Sequence, residues 1–163
     1  MTNIRPAAIA AVLILTTPAF AAPWGTYDYP YDEDEHVYGA YQGDTTGAYE
    51  LSYDCADVLK DSTIGILTPE AWDATASYAS EVPAEFVIDG QPVPSPMFSF
   101  ENWDEKVAVV TDDWIEVETF EALIKAMSGA RQSIDIRFFD KAVSFEATGV
   151  PGAIAYARAN CGL

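Results

Sequence analysis

The chain has only two cysteines, Cys55 and Cys161, and each falls on the apolar stripe of its own segment. Around the first, Tyr49, Leu51, Tyr53 and Cys55 alternate with Glu50, Ser52 and Asp54. That period of two marks a half-buried strand with Cys55 on its inner face. Around the second, Val150, Ala153, Ile154, Ala157 and Cys161 share one side of a short helix that Pro151 opens. Two independent periodicities therefore point both thiols into one interior. A Cys55–Cys161 disulfide follows, with two free buried thiols as the alternative. A bridge closing about 100 residues ties the first strand of the body to its last helix, which leaves few arrangements open.

Between the cysteines the pattern is mostly that of strands. Short apolar runs occur at Ile64–Leu67, Glu85–Ile88, Met97–Phe100 and Lys106–Val110. Asp89-Gly90 is a turn signal, and Pro92, Pro94 and Pro96 confine the next piece to an edge or a loop. Thr68 before Pro69 suggests a brief helix over 69–80. A clearer helix spans Thr119–Ser128, where Phe120, Leu123, Ile124 and Met127 form the inner stripe and Gly129 stands at the C′ position. A hairpin then joins Ile134, Ile136 and Phe138 to Val143, Phe145 and Ala147. A turn centred on Asp140-Lys141 would pair Phe138 with Val143, Ile136 with Phe145 and Ile134 with Ala147. The expected fold is mainly β (α+β): a small antiparallel sandwich or sheet with a mid-chain helix, a C-terminal helix and one disulfide.

Ahead of this body lie two segments of different character. Residues 1–21 carry Arg5, an apolar run of nine from Ala7 to Leu15, and Ala19-Phe20-Ala21 as a cleavage site. This is the pattern of a secretory signal, and the run is too short for a membrane span. A periplasmic or secreted location follows, where a disulfide would persist. Residues 22–47 are acidic and tyrosine-rich. Tyr27-Asp-Tyr-Pro-Tyr-Asp-Glu-Asp-Glu-His36 packs five carboxylates into eight positions, which predicts an extended, disordered segment before a single domain over 48–163. Asp32, Glu33, Asp34, Glu35 and His36 do not follow the spacing of an EF-hand, because Val37 occupies the position that needs glycine. The tyrosines Tyr27, Tyr29, Tyr31, Tyr38 and Tyr41 leave a recognition segment open as a second reading of this stretch.

Charge and composition then narrow the function. The chain has 26 acidic and 8 basic residues, a net charge of −18. Without the signal, which holds Arg5 and no acid, the remainder carries −19. Such a surface repels phosphate backbones and anionic headgroups, so neither nucleic acid nor a membrane is an expected partner. The single histidine, His36, sits in the acidic segment, away from any residue that would orient it as a catalytic base. No zinc spacing, redox pair or phosphate loop occurs, and no cofactor or metal is expected. Asp112 and Asp113 look like a strand-end turn. Trp72, Trp103 and Trp114 fit core and rim positions, with an exposed aromatic contact surface as the alternative.

The C-terminal half also carries a likeness. Phe86-Val-Ile-Asp-Gly-Gln-Pro92, the helix Phe120-Glu-Ala-Leu-Ile-Lys-Ala-Met127 and the closing Gly149-Val-Pro-Gly-Ala-Ile-Ala155 resemble the invasion-associated locus B family of small exported bacterial proteins over about 70 residues. The chain lacks that family's paired mid-chain cysteines. The resemblance implies a secreted or periplasmic β-sandwich-like domain of non-enzymatic role, linked in some members to host interaction, with no catalytic residues to carry over. Three functions are expected in descending order. The first is a non-enzymatic exported domain working through protein surface contacts. An acidic binder or inhibitor of a basic protein, such as a lysozyme-type hydrolase, comes second, and a small carboxylate-dependent hydrolase third.

Overall fold

A computed structural model describes residues 23–58, 61–111 and 116–163. The signal segment, Asp112, Asp113 and Trp114 lie outside the described residues. The elements run in the order β1 (Gly25–Asp32), β2 (Glu35–Gly43), β3 (Glu50–Ala56), β4 (Ser62–Ala71), β5 (Val82–Ile88), β6 (Gln91–Val93), β7 (Met97–Trp103), β8 (Lys106–Thr111), α1 (Val117–Gly129), β9 (Ser133–Phe138), β10 (Lys141–Glu146) and α2 (Val150–Cys161). All ten strands join one antiparallel sheet in the order β1-β2-β3-β4-β8-β7-β5-β9-β10, with β6 hydrogen-bonded to β5 alone. Its ends approach one another. The Trp24 N–H donates to the Thr148 carbonyl at 3.0 Å, its indole N–H to the Glu146 carbonyl at 2.8 Å, and the Thr45 N–H to the Ser144 carbonyl at 3.3 Å.

The curled sheet encloses a single core. Alternate residues of the strands point inward, including Leu51, Tyr53, Ile64, Ile66, Phe86, Phe98, Ile134, Ile136 and Phe145, all almost fully buried. The helices fill the space between them. α1 buries Phe120, Leu123, Ile124 and Met127, and α2 buries Val150, Ala153, Ile154, Ala157 and Cys161. Both inner stripes are those the sequence periodicity gives. Small alanines on α2 let it approach β2 and β3 closely. Cys161 there joins Cys55 on β3, as the two apolar stripes predict.

Four local expectations change. The acidic tyrosine-rich segment forms the hairpin β1–β2, with Tyr27 opposite Gly39 and Tyr29 opposite Val37. Counting charge alone misses that Tyr27, Tyr29 and Tyr31 also alternate at period two. It misses too that Glu33 and Asp34 fall in the exposed turn, where their mutual repulsion is screened by water. Residues 69–80 form no helix: β4 continues to Ala71, and a turn follows in which Asp73 accepts from the Thr75 N–H at 2.9 Å. The β4–β8 register shifts between Leu67 and Ala71, a break that accommodates Pro69, which has no N–H to offer. Gly129 is the last helical residue, not a left-handed C′ glycine; Ala130 caps the helix in an extended conformation. The β9–β10 turn falls on Phe139-Asp140, pairing Phe138 with Lys141, Ile136 with Val143 and Ile134 with Phe145. The inner face keeps the same residues because the register moves by two. Phe139 takes a positive φ of 50°, and its ring stacks on Phe100 at 5.7 Å and 3°, which offsets the backbone cost.

Candidate functional site

The outer face of the sheet carries a large cleft that is both aromatic and charged. It is built on β3. The residues that alternate with Leu51, Tyr53 and Cys55 face outward, which places Glu50, Ser52 and Asp54 in a row. Antiparallel pairing sets Asp54 beside Gly39 on one side and Thr63 on the other, and Ser52 beside Gly65.

Those two glycines decide the shape of the site. A Cβ on Gly39 would come within 2.1 Å of the Tyr27 ring, and one on Gly65 within 2.4 Å of the Trp103 ring. Glycine in a strand interior marks a close approach of another group, and here both groups are aromatic rings lying against the sheet. Tyr27 reaches from β1 across β2, and its hydroxyl donates to one carboxylate oxygen of Asp54. The Ser52 hydroxyl donates to the other oxygen at 3.1 Å, and Ser52 Oγ itself lies within 3.1 Å of the point a Gly65 Cβ would occupy. Tyr27, Asp54, Ser52 and Trp103 therefore form a continuous floor. Trp103 is fixed in turn by its indole N–H, which donates to Glu101 at 2.9 Å.

The cleft over this floor has a volume of about 680 Å³, a size typical of ligand sites. Among the described residues, five carboxylates line it, from Glu50, Asp54, Asp61, Glu101 and Asp104, and no basic residue does. Electrostatics follow from that crowding. Burial pushes the Asp54 carboxyl up to about 6, with Glu50 adding to the rise, while the hydrogen bonds from Tyr27 and Ser52 hold it back. Burial likewise raises Glu50, against a lowering by Lys106. The Tyr27 hydroxyl is driven far above its ordinary value, by burial first and then by Asp54, so it remains a donor.

The residues singled out in the sequence are distributed differently. Cys55 and Cys161 brace the floor from behind, since Cys55 follows Asp54 on the opposite face of β3. His36 is on β2, with its ring 6.1 Å from that of Tyr38 and its N–H donating to Asp57 at 2.9 Å. Among the described residues, no group of three or more His, Cys, Asp or Glu side chains is arranged to hold a metal ion. Trp72 stacks on Tyr78 at 4.3 Å, away from the cleft. Among the described residues, no helix is long and apolar enough to cross a membrane. What sequence reading misses is the grouping of Tyr27, Asp54 and Trp103; Gly39 and Gly65 inside strands are the signal that marks it.

The comparisons add no relative: the chain matches no family model, no curated protein and no solved structure.

Proposed function

We propose that the protein is a non-enzymatic exported domain that works through protein surface contacts, with the outer-face cleft as its contact site. The observation that carries this reading is the pair of aromatic rings laid over Gly39 and Gly65 on the outer face of the sheet. Burial of aromatic area at the centre of a contact, ringed by polar groups, is the usual anatomy of a protein interface. The rim agrees with this, because Tyr29 and Tyr31 on the edge strand are 46% and 70% exposed. The likeness of the C-terminal half to the invasion-associated locus B family points the same way, as does a signal-like N-terminus that leads to an oxidising compartment.

An acidic binder of a basic protein is the second reading, and the five carboxylates of the cleft favour it. The hydrolase reading gains less. Asp54 has the raised proton affinity of a general acid, but the carboxylate that bears on it is Glu50, four residues along the same strand. The hydrogen bonds to Asp54 come from Tyr27 and Ser52, neither of them a second carboxyl that could serve as base or nucleophile.

Photo-crosslinking tests the contact site. A photoreactive residue at Tyr31 should capture a discrete partner in the organism's own extracytoplasmic fraction, and one at Tyr156 on α2 should not. Equal capture at both positions, or none at either, overturns the reading. Mass spectrometry of the mature protein should find an N-terminus near Ala22 in the exported fraction; protein with an intact Met1 confined to the cytoplasm would remove the export argument.

A further inference from the structure

We propose that the cleft seats a single cationic side chain of the partner, the guanidinium of an arginine or the ammonium of a lysine, held over Asp54 between the rings of Tyr27 and Trp103. This rests on the contact reading above and names the chemistry of the residue that fills the site.

Three features converge on a cation. The walls are aromatic, and an aromatic face attracts a positive group through the ring quadrupole, most strongly for tryptophan. The charged side chains among the described lining residues are all acidic, so a cation is drawn in and an anion or phosphate is repelled. The floor supplies directed acceptors. Asp54 receives one hydrogen bond on each oxygen, from Tyr27 and Ser52, and a carboxylate has about four lone-pair sites, which leaves room for a donor from above. The carboxylate is half-buried, and among the described residues no basic side chain lines the cleft around it. A cation placed there supplies the charge partner that a buried anion otherwise lacks.

The source of the cation follows from the surroundings. The cleft runs into the exposed tyrosines of β1, a flat aromatic rim that a free amine would leave uncovered. A protein that inserts one long basic side chain also covers that rim. Arginine suits the site particularly, because its planar group stacks on rings and donates to a carboxylate at the same time.

The test uses the unaltered folded protein, labelled with ¹⁵N, and two small probes, N-acetyl-arginine amide and its neutral isostere N-acetyl-citrulline amide. The arginine probe should shift the indole N–H resonance of Trp103, identified by its absence in Trp103→Phe, and the citrulline probe should leave it in place. Equal shifts with both, or no shift with the arginine probe, overturn the proposal. Asp54→Asn should weaken arginine-amide binding about tenfold, while Glu85→Gln, on β5 and outside the cleft lining, should leave it unchanged. An Asp54→Asn protein that folds and binds equally well places the cation elsewhere. Spermidine binding tighter than the arginine probe would assign the cleft to free amines and overturn the side-chain assignment. Should the arginine probe fail while crosslinking at Tyr31 still captures a partner, the cation is wrong and the contact site stands; failure of both removes the two together.

Discussion

One strand faces two environments. On its inner side β3 presents Leu51, Tyr53 and Cys55, buried against both helices' contribution to the core and locked by the disulfide. On its outer side the same strand presents Glu50, Ser52 and Asp54, where two carboxyls hold their protons more tightly than exposed ones do. The inner face lowers the free energy of the fold. The outer face raises it at Asp54, where burial of the carboxylate outweighs its hydrogen bonds. A site that opposes the fold and persists in one continuous cleft is the kind expected where binding supplies the missing partner.

The largest effect should come from cutting the inner face loose. Replacing both cysteines, Cys55→Ala with Cys161→Ala, removes a closed loop of 106 residues, worth about 4–5 kcal/mol in the chain-entropy model. Urea unfolding measures it. A loss under about 1 kcal/mol would mean that the packing of α2, not the bridge, holds the sheet's inner side. Next comes Leu51→Ala, which empties a fully buried position and should cost about 3 kcal/mol. If it costs no more than an outer-face substitution on the same strand, the contrast between the faces fails.

How far the two faces were legible in the sequence follows the same division. Inner-face positions repeat at a fixed period, so Leu51, Tyr53 and Cys55 on β3 and the stripes of α1 and α2 can be read without knowing their neighbours. The β9–β10 turn shows how forgiving that signal is: it lies one residue away from Asp140-Lys141, yet a register change of two returns the same side chains to the core. The outer site has no such period. It exists because β4 pairs with β8, and β8 with β7, which carries Trp103 to Gly65. It also needs Tyr27, from a stretch whose charge argued for disorder, to reach over β2 to Asp54. Asp89 illustrates the same gap on a smaller scale. It is legible as a turn residue, and it adopts φ 50° before Gly90 at 78°. Only the fold reveals that its carboxylate also accepts from the backbone N–H groups of Arg131, Gln132 and Ser133, anchoring the loop after α1.

The outer face makes an opposite prediction from the inner one: neutralising it should stabilise. Asp54 sits near 6 in the folded protein against an ordinary aspartate value of 3.8, so the folded state holds the proton more tightly than the unfolded chain. Its contribution is therefore full at pH values below the unfolded value and is lost as pH rises through the folded one. Between about pH 4 and pH 7 the protein should lose on the order of 1–2 kcal/mol from this group, reduced from the full linkage value because the site is open to water. Asp54→Asn should recover that amount near pH 7 and flatten the profile, as followed by thermal unfolding across pH. An advantage of Asp54→Asn over wild type that shrinks as pH rises over the same interval would contradict the sign.

The smallest effect separates the two influences on Asp54. Burial raises its proton affinity, and the Tyr27 hydrogen bond lowers it, burial being the larger. Tyr27→Phe keeps the ring over Gly39 and removes only the donor, so the Asp54 titration midpoint should move up, by about half a unit to one unit. Gly39→Ala does the reverse. Its methyl group collides with the far end of the Tyr27 ring, which can swing away at little cost to the fold, taking both the donor and the covering ring with it. Because burial outweighs the bond, the midpoint should now fall toward the ordinary value. Carboxyl ¹³C shifts of Asp54 read both directions in otherwise folded protein. Two substitutions that each break the same hydrogen bond yet move one carboxyl in opposite directions would establish that the ring, laid flat by a glycine, is what makes the outer face of β3 a site.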